Sequence, residues 1–429
     1  MLLPKSLTEK INFVSEHQHD VSVCLIAFVL LGASLFLKYL TLMCLGFVGL
    51  VFFFSDNTRI FKYLFFLMPF AVIFKLNPSS TSLFTVLELF CVFLFLIRRP
   101  TFESKLGIIM GVLLAVSLPK SFSNLSELFK LMSGLLLFYS FTRDNKRATL
   151  NNYFPYFVSG LFLSALLGFF KERIPRLLSM YSDLNYNRIN GVFVLRYSGL
   201  FQDPNYFSVP IIFCIICIGI LILSSSKKGK FIYSAVGLLL IFFGLLTYSK
   251  SFLLTLAVTL PLLAVQSGVS KTIYITIAIV LTGVIIYVFD PGRLFTGIIF
   301  RFKTGDLTTG RTAIWENYFN VIFSNAGSLL FGHGLGSRLE RAQHSIWIES
   351  LYTVGIPGTV AYFASLFRIS KLGSIKIKRK FINFIGFIVI AVMFSFINGM
   401  SSFELPFYMM LSVLIFNHKI GDEGLVSDV

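Results

Sequence analysis

The sequence predicts an all-α polytopic integral membrane protein with about twelve to fourteen transmembrane helices and two long outer-face loops. Hydrophobic residues make up 56% of the 429 positions and charged residues only 13%. A soluble domain has about a quarter of its residues charged. The mean hydropathy of +0.81 points the same way. So few charges could not cover a water-facing surface, but they suit burial in a bilayer.

Apolar runs of roughly 17–25 residues, the length that crosses a bilayer, recur along the chain. They must form helices, because every backbone polar group has to be hydrogen-bonded inside the bilayer. Pro69 interrupts one of them, so the shorter runs could be kinked, tilted or re-entrant. The predicted spans are 21–37, 39–54, 63–76, 83–97, 106–118, 125–142, 153–170, 206–225, 231–248, 252–267, 272–289, 346–367, 381–397 and 405–417.

These spans divide the chain into five parts. They are N-terminal transmembrane helices (1–170), a first long outer loop (171–205), central transmembrane helices (206–289), a second long outer loop (290–345), and C-terminal transmembrane helices with a cytoplasmic tail (346–429).

Lysine and arginine predict the orientation of the chain. The short loops on one side are rich in both residues, at 59–62, 98–105, 143–147, 227–230 and 368–380. The short turns on the opposite side hold only Lys38, Lys75, Lys120 and Lys250. Because positive loops stay in the cytoplasm, both termini are predicted to be cytoplasmic. The same bias explains most of the net charge of +17, so nucleic acid is not a predicted partner.

The two long outer segments break this pattern, because both are net positive. Their basic residues are Lys171, Arg173, Arg176, Arg188 and Arg196 in the first, and Arg293, Arg301, Lys303, Arg311, Arg338 and Arg341 in the second. Long loops escape the orientation rule, so their charge could lack a function. Arginine also binds phosphate through a planar fork of donors, and we favour an anionic, phosphorylated substrate.

The first segment ends directly before the span that begins near Tyr206. Asp203 and Pro204 are typical of a helix start, where aspartate accepts from free N–H groups and proline lacks one. A purely structural cap is therefore an equal alternative for these two residues. Arg196 lies ten residues before Tyr206, close enough to act at the membrane surface.

The second segment contains Gly310 followed by Arg311, and glycine lets the backbone turn sharply there. Trp315 and other apolar residues recur at helical spacing over 313–323, which predicts an amphipathic helix along the membrane interface. Arg311 would lie at its N-terminal end, where backbone N–H groups favour anions. The glycine-spaced run 331–336 follows no strand, which predicts a flexible or tight outer loop and not a dinucleotide site.

His344 lies where the second segment re-enters the membrane. Of the five histidines, His17, His19 and His418 are on predicted cytoplasmic tails, and His333 is in the glycine-spaced run. A neutral imidazole is suited to take a proton from a hydroxyl group. The structural alternative for His344 is an interfacial polar residue at a helix start.

These four motifs, in this order after many apolar spans, resemble the bacterial O-antigen ligase and Wzy-type O-antigen polymerase superfamily. Its members show an arginine before a Gly…Asn-Pro-Asn stretch, a Gly-Arg…Trp segment, a glycine-spaced turn and a His-Asn…Gly-x-x-Gly segment. The matching residues are Arg196 to Asn205, Gly310, Arg311, Trp315, Gly332 to Gly336, His344, Gly355 and Gly358. Asp203 and Ser345 stand where asparagine is usual, and the match covers roughly 190–360.

The resemblance implies glycan transfer from a polyprenyl-diphosphate-linked donor at the outer face of the bacterial inner membrane, without cofactor or metal. It implies that His344 is the catalytic base. The implied pyrophosphate-binding residues are Arg196, Arg311, Arg188 and Arg301, supported by Asn205, Gly310 and Trp315. The implied partners are the lipid-linked oligosaccharide, membrane lipids and a chain-length regulator.

The acceptor separates the two enzymes of this superfamily. We predict a polymerase, because two arginine-rich segments suit a donor and an acceptor that both carry diphosphate. A ligase that transfers glycan to lipid A core is the alternative. A flippase for the lipid-linked oligosaccharide is the alternative from another class, although the chain shows no internal repeat of the kind common in transporters.

Overall fold

The computed structural model describes residues 5–77, 81–146, 148–180, 186–189, 192–267, 299, 310–374 and 384–418. Within these ranges the regular elements are helices, apart from one two-stranded hairpin. Four described helices are long and apolar enough to cross a membrane, namely Ser104–Ser121, Pro204–Ile222, Lys227–Leu246 and Ile346–Gly373. The fold is therefore compatible with a membrane protein. The predicted span 272–289 and the start of the second long segment lie outside the described residues.

The helices of the first half follow one another through short turns. They are α1 (Lys5–Ser34), α2 (Leu40–Phe54), α3 (Asn57–Leu67), α4 (Leu83–Arg98), α5 (Ser104–Ser121), α6 (Leu125–Asp144) and α7 (Leu150–Gly168). The run predicted over 63–76 does break near Pro69, because α3 passes into a 3₁₀ turn at Met68–Phe70. A second 3₁₀ turn, Phe122–Asn124, joins α5 to α6.

The segment predicted as the first long loop contains the short helix α8 (Pro175–Ser179) and a hairpin of β1 (Tyr186–Ile189) and β2 (Val192–Leu195). The hairpin is antiparallel, with Arg188 opposite Phe193. The helices that follow are α9 (Pro204–Ser224), α10 (Lys227–Leu246), α11 (Lys250–Ser267), α12 (Arg311–Ile322), α13 (Ala326–Phe331), α14 (Ile346–Gly373), α15 (Ile385–Phe394) and α16 (Leu405–Asn417). The amphipathic helix predicted over 313–323 is thus present as α12.

Polar side chains begin several of these helices. The Asp56 carboxylate accepts from the backbone N–H of Arg59 at 2.9 Å, and Glu103 accepts from that of Leu106 at 2.7 Å. Asp203 caps α9 in the same way, as its sequence predicts. Each cap satisfies a backbone donor that the first turn of a helix leaves without an intrahelical partner.

Helix α9 lies at the centre of the bundle. It packs against α7, α10, α11, α15 and α16. Of its most apolar stretch, 78% is buried inside the structure, against 22% for the corresponding stretch of α10. Peripheral helices instead expose large apolar side chains; Phe54 is 79% and Phe231 is 77% exposed. Such exposure would be costly in water and suits a surface that faces lipid.

The two ends of the bundle differ in charge. At one end Arg98 donates to the carbonyl of Ser55 at 2.7 Å, Arg143 donates to that of Arg99 at 2.8 Å, and Arg368 pairs with Glu103. Helix α14 reaches this basic end through its last turns. It begins at the opposite end, directly after His344, and its 28 residues give it a length of about 40 Å.

Gly355 interrupts α14 with a left-handed backbone (φ 66°, ψ −175°). A Cβ atom at this position would lie 2.6 Å from the backbone carbonyl carbon of Leu330 in α13. Only glycine adopts this conformation readily, and only glycine allows so close an approach. The kink therefore seats α13 against α14.

We expect Gly355→Ala to lower the stability of the purified protein by about 1–3 kcal/mol or more, from backbone strain and from overpacking. Thermal unfolding in detergent measures this. Gly46→Ala is the matched control, because no atom lies within 4 Å of a Cβ there. Equal unfolding temperatures for the two variants would contradict the role given to the kink.

Candidate active site at one end of the bundle

The segment 395–404, which connects α15 to α16, draws the predicted motifs together through Asn398. The Asn398 backbone carbonyl accepts from the Tyr206 hydroxyl at 3.0 Å. Its side-chain oxygen accepts from the backbone N–H of Ser345 at 3.2 Å, and its side-chain nitrogen donates to the Gln343 side-chain oxygen at 3.3 Å. The start of α9 and both neighbours of His344 are therefore fixed to one residue.

A partly buried carboxylate holds the segment 395–404 in place. Glu349, in the first turn of α14, accepts from the backbone N–H groups of Gly399 at 2.7 Å and Met400 at 3.1 Å. Charge-assisted bonds of this type are stronger than neutral ones. Glu349 thus fixes the backbone that carries Asn398.

Arg311 is the first residue of α12, and Gly310 before it has a φ of 78°. The Arg311 guanidinium carbon lies 5.6 Å from the centre of the Phe396 ring, so the second arginine-rich segment also meets the segment 395–404. The Trp315 indole N–H donates to the backbone carbonyl of Gln343 at 2.8 Å. Arg311 and Trp315, which the sequence predicts as site residues, therefore both lie close to the chain that carries His344.

His344 has a φ of 51°, a value uncommon for residues other than glycine. Gln343 and Ser345 are each only 3% exposed, whereas His344 is exposed. The anchored neighbours hold the chain in this conformation and turn the imidazole outward. A strained, exposed histidine between two buried neighbours is typical of a functional position.

The surroundings of His344 lower its pKa. Partial burial of the ring lowers the pKa of His344, the guanidinium of Arg311 lowers it further, and the carboxylate of Asp203 raises it. The net effect is a pKa below that of a solvated histidine. Because only the neutral ring accepts a proton, the arrangement suits a base near neutral pH.

Arg196 is buried, and its side chain lies across the ends of two helices. Its Nε donates to the backbone carbonyl of Thr247 at 3.0 Å, and its Nη2 donates to the Asn205 side-chain oxygen at 3.3 Å. Asn205 also accepts from the Ser249 hydroxyl at 2.8 Å. A cation beyond the C-terminal end of α10 is favourable, so Arg196 and Asn205 stabilise the turn before α9 as well as contributing positive charge.

His333, the other histidine on the second segment, is part of the glycine-spaced turn. Its backbone N–H donates to the carbonyl of Tyr352 at 2.8 Å, and its ring stacks on the Tyr352 ring with centroids 4.5 Å apart. Gly332, Gly334 and Gly336 all have positive φ. The run therefore forms a tight turn, one of the two forms that the sequence left open, and it packs against α14.

A polar cavity of about 690 Å³ lies beside these residues. Asp203, Tyr206 and Asn398 contribute to its wall, so it adjoins the segment around His344. His344, Arg196 and Arg311 are not part of its lining. Its charged lining residues are Glu127, Asp203, Glu349, Glu404, Lys75, Lys130 and Arg338.

The described residues do not place the other two predicted arginines, Arg188 and Arg301, in this site. The backbone of Arg188 lies on β1, and its side chain is outside the described part of the chain. Arg301 lies outside the described residues altogether. Among the described residues, no group of three or more His, Cys, Asp and Glu side chains is placed to hold a metal ion.

Comparison of the chain with protein-family models, with curated proteins and with solved structures found no match. The resemblance to the O-antigen ligase and polymerase superfamily therefore stays a prediction that rests on the order of the motifs.

We expect Arg311→Gln to raise the pKa of His344 and Asp203→Asn to lower it, because each change removes one of the two opposing charges. Histidine NMR titration of the purified protein measures both shifts, with the His344 resonance assigned by its loss in His344→Gln. Arg338→Gln, which removes an exposed positive charge elsewhere on the same segment, should leave that pKa unchanged. An unchanged pKa in both charge variants would contradict the placement of Arg311 and Asp203 beside His344.

Proposed function

We propose that this protein is a membrane glycosyltransferase that polymerises an O-antigen-like polysaccharide. It would transfer glycan from a polyprenyl-diphosphate donor to a lipid-linked repeat unit at the outer face of the bacterial inner membrane. The observation that carries the proposal is the meeting of Arg311 and His344 at the segment 395–404. A neutral base and a fixed cation, one beside the other, are what this transfer requires.

His344 acts on the acceptor. Its neutral imidazole takes the proton from the attacking sugar hydroxyl while that oxygen forms a bond to the anomeric carbon of the donor sugar. The bond from that carbon to the diphosphate oxygen breaks at the same time. Attack from the side opposite the leaving group inverts the configuration at the donor carbon.

Arg311 acts on the leaving group. The polyprenyl diphosphate departs with the bonding electron pair, so negative charge develops on its bridging oxygen. A guanidinium and the N-terminal backbone donors of α12 stabilise that charge, and the Phe396 ring holds the Arg311 side chain in position. Arg196, and in this proposal Arg188 and Arg301, add positive potential for a diphosphate.

The charge difference between the bundle ends supports an outward-facing site. Lys75 lines the cavity beside the site, and Lys120 approaches Gly334 in the glycine-spaced turn. These are two of the few lysines predicted in outer turns. The short basic loops that contain Arg98 and Arg143 lie at the other end of the bundle, beside the last turns of α14. The positive-inside rule places that end in the cytoplasm. Both termini are cytoplasmic in this proposal.

We expect His344→Ala to abolish polymer in cells and to cause lipid-linked single repeat units to accumulate, while the protein still inserts into the membrane. Loss of a general base costs roughly 10²–10⁴ in rate, which is enough to remove a ladder of long chains. Gel analysis of the glycan and immunoblotting of membranes measure both effects.

His333→Ala is the matched control, ten residues upstream on the same segment, and it should be much milder because His333 packs on Tyr352. Equal losses in the two variants would indicate a folding defect. A normal ladder from His344→Ala would remove the catalytic role of His344.

A further inference from the structure

His344 and Arg311, which carry the proposed transfer, do not line the polar cavity of about 690 Å³ beside them. We propose that this cavity binds the acceptor oligosaccharide, a single repeat unit, and presents its terminal hydroxyl to His344. This inference rests on the proposed function. The lining residues beyond Asp203, Tyr206 and Asn398 would then determine which sugar is accepted.

The size of the cavity fits a short oligosaccharide. Pockets that bind small molecules measure roughly 300–1,000 Å³, and this one lies in the middle of that range. The growing donor chain lengthens in every cycle, so a pocket of fixed volume cannot hold the whole of it. The acceptor is a single repeat in every cycle and fits the same volume each time.

The charge of the lining argues against a diphosphate as the occupant. The cavity wall carries four carboxylates and three cationic groups, so positive charge is not in excess there. Carboxylates accept hydrogen bonds from hydroxyl or amino groups, and lysine and arginine donate to hydroxyl and carbonyl oxygens. This mixture suits a hydroxyl-rich sugar that is neutral or carries both signs of charge.

The polar groups of the lining are held in fixed positions. Glu127 accepts from Lys130 at 2.5 Å and from the Ser401 hydroxyl at 2.7 Å. Glu404 is only 8% exposed, lines the cavity, and accepts from the Ser402 hydroxyl. Preset groups such as these discriminate between sugars, because a missing hydroxyl would leave a buried acceptor without a partner.

Aromatic rings complete the lining. Phe201, Tyr206 and Phe403 contribute to the wall, and the Tyr206 ring is held by the bond from its hydroxyl to Asn398. Apolar faces combined with a few fixed polar groups are typical of sites that bind small molecules. Tyr206 and Asn398 line the cavity and are also bonded to each other and to the chain beside His344. A sugar in the cavity therefore lies next to His344.

The test uses Glu404→Gln in the full-length protein, reconstituted in liposomes. The substrate is the lipid-linked repeat unit extracted from cells that lack this protein. We expect the KM for this repeat unit, which is the acceptor in every cycle, to rise about tenfold and kcat to stay within about threefold, since one charge-assisted hydrogen bond is weakened. Glu127→Gln should behave in the same way, so the test does not depend on one variant folding.

Glu88→Gln is the matched control. Glu88 is also a buried glutamate, 1% exposed, and lies close enough to Glu404 to affect its electrostatics, but it does not line the cavity. Its KM should equal that of the unaltered protein. An unchanged KM in both cavity variants, or an equal rise in Glu88→Gln, would overturn the proposal while leaving the polymerase function intact.

Direct binding separates the two proposals. The probe is the oligosaccharide released from the lipid-linked repeat by mild acid, measured by equilibrium dialysis against the full-length protein in detergent. We expect binding that is about tenfold weaker in Glu404→Gln, and this result does not require catalysis. Absence of binding to the unaltered protein, or equal binding by the variant, would overturn the acceptor site.

Discussion

The three hydrogen bonds of Asn398 are the interaction on which the site depends. They join the start of α9, the chain on both sides of His344 and the turn before α16, three segments far apart in the sequence. Glu349 fixes the backbone beside Asn398, and Phe396 receives Arg311 from α12. This segment therefore helps to position both the histidine and the arginine at the end of the bundle.

The electrostatic arrangement follows from that geometry. Partial burial and the guanidinium of Arg311 both lower the pKa of His344, so in the proposed function the cation that would stabilise a leaving diphosphate would also favour the neutral base. Asp203 opposes this effect and would stabilise the imidazolium once it has taken a proton. Its carboxylate also caps α9, so one side chain serves the structure and the local potential together.

Features that depend on local sequence were predictable. The start of α9 at Asp203, the helix α12 with Arg311 at its first position and the glycine-spaced turn follow from capping, periodicity and glycine content. Asn398 was missed, because a single asparagine between apolar residues carries no pattern. Lys130 and Glu349 both line the cavity, but this depends on how distant helices pack, which spacing along one helix cannot indicate.

The most direct measurement of the central claim is transfer by the purified protein in liposomes, supplied with a polyprenyl-diphosphate-linked repeat unit and a chelator of divalent metals. The length of the glycan and the released polyprenyl diphosphate are followed together. The account predicts a ladder of polymer and one released polyprenyl diphosphate for each new glycosidic bond. Repeat units that cross the bilayer without lengthening, and without released diphosphate, would contradict glycosyl transfer and would indicate a transporter.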